Sequence, residues 1–205
     1  MSTLNPTKTS VKRMQQAINV MDIGLLLAVI DENKVLPEVN PVSKKPFLME
    51  MISRHWWEGV HLYIKSKEDQ QSFLRSLVDD KKRTVWHELA KVGDHWAPRE
   101  FLDKYDIVLE RDMFGRGPWW EWESVSWAKI WINKVSPSVW RKLWAERDSD
   151  GVHPIEYWLE NKKWGLACWG WSHRPEISDH ERMRWNEMIN SAPPRWGATW
   201  RSWGV

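Results

Sequence analysis

Asp150, followed ten residues later by Glu160, Asn161 and Lys162, is the nearest approach in this 205-residue chain to a catalytic set. Two acids and a lysine can hold a divalent cation against a phosphodiester, the chemistry of a metal-dependent nuclease. Such a site needs carboxylates converging from neighbouring strands, whereas "PIEYWLENKK" reads as helix, so this reading ranks as an alternative. Asp148, Asp150 and Gly151 look like the start of a calcium loop. The twelfth position would then be Tyr157 instead of glutamate, and the loop fails. His87-Glu88 and His180-Glu181 each lack the second histidine of a zinc-protease helix, because Lys91 and Arg184 stand at that spacing. His173, Glu176 and His180 read as charged helix-start residues before they read as a metal site. Cys168 lies in "WGLACWGW" and reads as buried and inert. No pattern identifies a reaction, and none implies a cofactor or a metal.

The residue type that stands out is tryptophan, with 19 copies against four phenylalanines and three tyrosines. "GPWWEWESVSWAKIWINK" holds five of them between Trp119 and Trp131. Trp127 and Trp131 are helix-spaced, as are Trp140 with Trp144 and Trp196 with Trp200, which places each pair on one helix face. Trp119, Trp120 and Trp122 have no such periodicity and follow the turn "FGRGP". Tryptophan and arginine are enriched at interface hot spots. The expectation is therefore an exposed patch of Arg116, Trp119, Trp120 and Trp122 that contacts a protein partner, rimmed by Glu121 and Glu123.

The alternative is nucleic-acid binding. "KLWAERDSDGVHPIEYWLENKKWGL" has the outline of two helices joined by a tight turn at Gly151, as in a helix-turn-helix. Aligning the second helix with a recognition helix needs two residues deleted, which rotates its face by about 200°. Basic residues that could meet phosphate are Lys12 and Arg13 near the start and Lys162 and Lys163 in the hairpin. Near the end, Arg195, Trp196, Trp200 and Arg201 combine charge with stacking rings.

Composition bounds the rest. A formal net charge of +2 leaves no strongly basic or acidic tail. A single cysteine excludes an intrachain disulfide framework, and a reducing, cytoplasmic setting is expected. The apolar run at residues 23–30 is far below the roughly 20 residues that span a bilayer. Leu, Ile, Val and Phe make up little more than a fifth of the chain, so tryptophans must supply much of the core.

These residues must be carried by helices. "SVKRMQQAINVMDIGLLLAVI" repeats apolar residues at three- and four-residue steps, and "LPEVNPVSKKP" then breaks the pattern. Residues 1–45 read as a helical segment with a proline-containing linker and 46–205 as a Trp-rich helical domain, with one continuous domain as the alternative. Ser66 is expected to cap "SKEDQQSFLRSLV", Gly93 to close "RTVWHELAKVG", and Ser136 with Pro137 to start "SPSVWRKLWAER". Ser178 and Glu181 form a capping box before Trp185. Val60, Leu62 and Ile64 alternate as in a strand, and "DIVLERDMFGRG" reads as a strand entering a turn. The whole predicts a mainly α fold of about seven to nine helices, with a two- or three-stranded β element as the minor alternative. The function expected is non-enzymatic binding of a protein partner. The setting expected is that of an accessory or host-interaction protein of a virus or mobile element.

Overall fold

The computed structural model describes residues 7–32, 36, 38–93, 96–173 and 179–190. Its helices come mostly in pairs: α1 (Lys8–Val20) with α2 (Ile23–Glu32), and α3 (Phe47–Ser53) with α4 (Trp57–Lys65). After α5 (Gln70–Ser76), α6 (Val85–Lys91) is followed by α7 (Trp96–Lys104). A 3-10 helix, Pro118–Glu121, is followed by α8 (Val125–Lys134) and then α9 (Pro137–Trp144). Last come α10 (Pro154–Glu160) with α11 (Trp164–Ser172), and α12 (Asp179–Asn190). The fold is mainly α as expected, the extra helices being pieces of only about two turns. Among the described residues β structure is confined to two isolated bridges, Val39 with Pro46 and Val78 with Thr84.

The pairs stack into two rows. One row runs α1, α3, α6, the 3-10 helix, α10 and α12, each in contact with the next. In the other, α2 packs on α4, α7 on α8, and α8 on α11. The pairs also share a local grammar. Met21, His55 and Lys162, each just past the first helix of a pair, adopt the left-handed conformation. One residue later, the N–H of Asp22, Trp56 or Lys163 donates back to the carbonyl of Ala17, Met51 or Trp158 at 3.0, 3.0 and 2.8 Å. That six-to-one bond closes the first helix and turns the chain into the second. Gly93, also left-handed at φ +83°, holds the same place after α6 and closes it as expected.

The units before the first helices match as well. Counting from the start of that helix, Leu48, Trp86, Trp119 and Ile155 occupy the second position and Met51, Leu89, Trp122 and Trp158 the fifth, all buried. Each first helix therefore presents equivalent side chains to its neighbours along the row, and the tryptophans fill the seams. Trp122 is stacked with Trp158 and edge-on to Trp131, with ring centres 6.3 Å apart in both cases. Trp158 Nε1 donates to the Trp120 carbonyl at 3.1 Å, and Trp127 Nε1 donates to the Ala90 carbonyl at the same distance. Of the tryptophans whose burial is described, Trp57, Trp140 and Trp164 are half-buried, the others are buried, and none is exposed. One apolar core runs from Met14 to Trp185.

Several local expectations are corrected. Val60, Leu62 and Ile64 lie in α4, because the 3.6-residue pattern of Trp56, Val60 and Ile64 buries more surface than the alternation does. The cap of α5 is Asp69, whose side chain accepts the Ser72 amide at 3.0 Å; Ser66 instead ends α4. "DIVLERDMFGRG" is no strand but an irregular approach to a tight turn. Ser136 and Pro137 start α9 as expected. Ser178 lies outside the described residues.

Candidate partner-binding surface

Three turns of the same construction precede three of the first helices. Asp79, Asp112 and Asp148 each stand six residues before the helix start, the second thirty-three positions after the first and the third thirty-six after the second. In each turn the aspartate Oδ1 accepts two backbone amides, two and four residues on. These are Lys81 and Arg83 at 2.9 and 2.8 Å, Phe114 and Arg116 at 2.9 and 2.9 Å, and Asp150 and Val152 at 3.0 and 2.9 Å. Two backbone bonds close each loop, such as Asp148 N–H to Val152 O at 3.0 Å and Gly151 N–H to Asp148 O at 3.0 Å. The residue three past each aspartate is left-handed: Lys82, Gly115 and Gly151. The carboxylates are buried, so they act as internal turn organisers. Asn40 builds a looser version ahead of α3, accepting the Val42 amide at 2.9 Å.

The turns are tied into a row. Met113 N–H donates to Lys81 O at 2.9 Å, and Ser149 N–H donates to Phe114 O at 2.8 Å. Arg116 adds a cross-link: its Nε and one terminal nitrogen donate to Asp148 Oδ2 at 2.9 and 2.8 Å. Its guanidinium also lies 5.8, 5.5 and 4.7 Å from the ring centres of Phe114, Trp120 and Tyr157. His87 makes the other link. Its Nδ1 accepts the Thr84 amide at 3.0 Å, so its Nε2 carries the hydrogen and donates to Arg116 O at 2.9 Å. Burial holds this imidazole below its ordinary value of 6.5, against the partial support of the Arg116 carbonyl, and keeps it neutral.

What the row presents outward is short and distinct. Asp80, Lys81, Lys82, Met113, Phe114, Ser149 and Asp150 are exposed at the turn tips. Met113 and Phe114 keep 55% and 39% of their surface in solvent, whereas no tryptophan whose burial is described is exposed.

The expected aromatic patch is not at the surface. Trp119, Trp120 and Trp122 are at most 1% exposed, because the 3-10 helix that carries them is wedged between α6 and α10. Arg116 is largely enclosed by Asp148 and three rings. These four residues sit together, as their spacing implied, but as an inner packing corner. The turn residues just before them, Met113 and Phe114, escaped notice; the signal was the repeated aspartate three residues before a lysine or glycine.

The nucleic-acid candidates are scattered. Lys12 and Lys162 are exposed. Arg13 pairs with Glu32. Lys163 is drawn inward: its Nζ donates to the carbonyls of Glu121 and Trp122 at 3.2 and 3.0 Å and to Glu123 at 2.9 Å, capping the 3-10 helix. The segment around Gly151 is a turn leading into a buried helix, α10, rather than an exposed recognition helix. Arg195, Trp196, Trp200 and Arg201 lie outside the described residues. Asp150 stands in a turn tip away from any acid cluster, and among the described residues no group of three or more His, Cys, Asp or Glu could hold a metal ion. Burial pushes the Cys168 thiol up to about 12, so it is a poor nucleophile. No described helix is long and apolar enough to cross a membrane. No protein-family model matches the chain, and no curated protein is detectably similar to it in sequence.

Proposed function

We propose that this protein is a non-catalytic binding scaffold that captures a protein partner along its row of turn tips. The observation that carries the reading is the register of the turns. Direct backbone bonds from Met113 to Lys81 and from Ser149 to Phe114 hold three loops rigid while their tips offer an aliphatic and an aromatic side chain to solvent. A pre-ordered apolar pair gives up little conformational entropy on binding, which is what makes a hot spot effective. One unit, a turn and two helices with Thr84 and His87 at the first and fourth positions of the motif, has the outline of an ankyrin-type repeat. Stacked repeats of this kind expose long continuous surfaces suited to binding.

The reading is tested with a photo-crosslinking amino acid placed at position 114 and, separately, at the exposed Met183 and Val139. In the cells that make the protein, the position-114 variant is expected to yield a discrete protein adduct and the other two none. Adducts from 183 or 139 with none from 114 would overturn it.

A further inference from the structure

We propose that the row binds a short acidic protein segment carrying one bulky apolar side chain, which seats on Met113 and Phe114 while its carboxylates lie over Lys81 and Lys82. This rests on the reading that the turn tips are the binding surface and adds the chemistry of what they bind.

The charge pattern along the row supplies the argument. Arg83 is taken up by Asp79 at 2.8 Å and Arg116 by Asp148, so neither is offered outward. Lys81 and Lys82 are exposed and meet no carboxylate among the described residues. Lys81 is held directly beside Met113, since its carbonyl accepts the Met113 amide. On the far side of Phe114 the row ends in Ser149 and Asp150. With Asp80 exposed beside the two lysines, that end keeps one net positive charge, and the surface runs from weakly cationic, through apolar, to polar and acidic. A segment whose acids precede its apolar anchor matches that order in one direction and is repelled by Asp150 in the other.

Phe114 is suited to the anchor position. Its ring lies over the Arg116 guanidinium, which Asp148 fixes from behind, so the ring face is set before any partner arrives. A phosphate backbone fits less well. Its repeated charges would meet only two lysines, and the exposed Met113 and Phe114 offer a phosphate chain no ionic contact.

The test selects a random dodecapeptide library on the immobilised full-length chain and measures the affinity of an enriched peptide by fluorescence anisotropy. Enriched peptides are expected to carry clustered Asp or Glu beside a Leu, Met, Phe or Trp. Phe114→Ser and the double change Lys81→Glu, Lys82→Glu should each weaken binding about tenfold or more, and Met183→Ser should leave it unchanged. Thermal melts confirm that each variant is folded, and Met113→Ser stands in if Phe114→Ser is not. A basic version of the peptide should regain affinity on the Lys81→Glu, Lys82→Glu protein. Uncharged or basic consensus peptides, or affinity that ignores the lysines but falls with Phe114→Ser, overturn the acidic segment and leave the binding surface standing. Affinity indifferent to both positions overturns both readings. Failure to enrich any peptide overturns the linear segment.

Discussion

Asp148 carries out two tasks with one carboxylate: Oδ1 organises its own turn, and Oδ2 holds the arginine of the turn before it. Its side chain is fully buried, so removing it leaves two amides unsatisfied and the Arg116 charge without its partner. Asp148→Ala is expected to destabilise by about 3–5 kcal/mol in urea titrations, the scale for breaking a buried pair. The exposed Asp150→Ala should stay within about 0.5 kcal/mol. His87 gives a pH effect of definite sign. Its folded value is depressed, so below about pH 6.5 the unfolded chain takes up a proton that the folded chain refuses. Stability is complete above that pH and declines as pH falls through the interval beneath it. His87→Gln, which does not titrate, should flatten the difference in stability between pH 7.5 and 5.5 relative to the parent.

The turns and the helices they launch set different demands on glycine, and two substitutions separate them. Gly151 is left-handed at φ +78°, with open space where a Cβ would go. Gly151→Ala should cost about 1 kcal/mol, the strain of that conformation alone. Gly117 has an ordinary φ of −86°, but a Cβ there would lie 1.8 Å from the Trp119 ring. Gly117→Ala should therefore cost about 3 kcal/mol or more, because the ring is enclosed on all sides and cannot yield. Calorimetry on the two variants should show the larger fall in melting temperature for Gly117→Ala, the reverse of what backbone conformation alone would suggest.

Across the whole molecule, stability should follow the stacking order, since each pair leans mainly on its neighbours. Trp185 of α12 lies at the far end of the described row, 5.4 Å from Trp171 and 5.0 Å from His153 between ring centres. Arg147 with Glu181 and Arg184 with Glu156 tie the same helix down. Trp185→Ala is expected to lower amide-exchange protection in α10 and α11 while leaving α1 to α4 close to the parent. Equal loss at both ends would mean that the stack unfolds as one unit.

The sequence by itself determined the helical class, the caps at Ser136 and Gly93, and the core role of Trp127 and Trp131. These follow from local rules: spacing on a helix face, a side chain that can accept an amide, a residue tolerant of left-handed backbone. The repeat was also present in the sequence, in the spacing of Asp79, Asp112 and Asp148, but thinly. The left-handed position accepts lysine as well as glycine, the N-cap position accepts Thr84, Gly117 or His153, and buried positions exchange leucine for tryptophan. Only the tertiary structure decided which aromatic residues face water. Trp119 and Trp120 are adjacent in a polar-rimmed stretch, which suggested exposure. A 3-10 helix flanked by α6 and α10 has neighbours on two sides, so both rings found cover that no local pattern could reveal. The same stacking pushed Met113 and Phe114 outward, because a tight turn closed by Asp112 must project its central side chains away from the chain it closes.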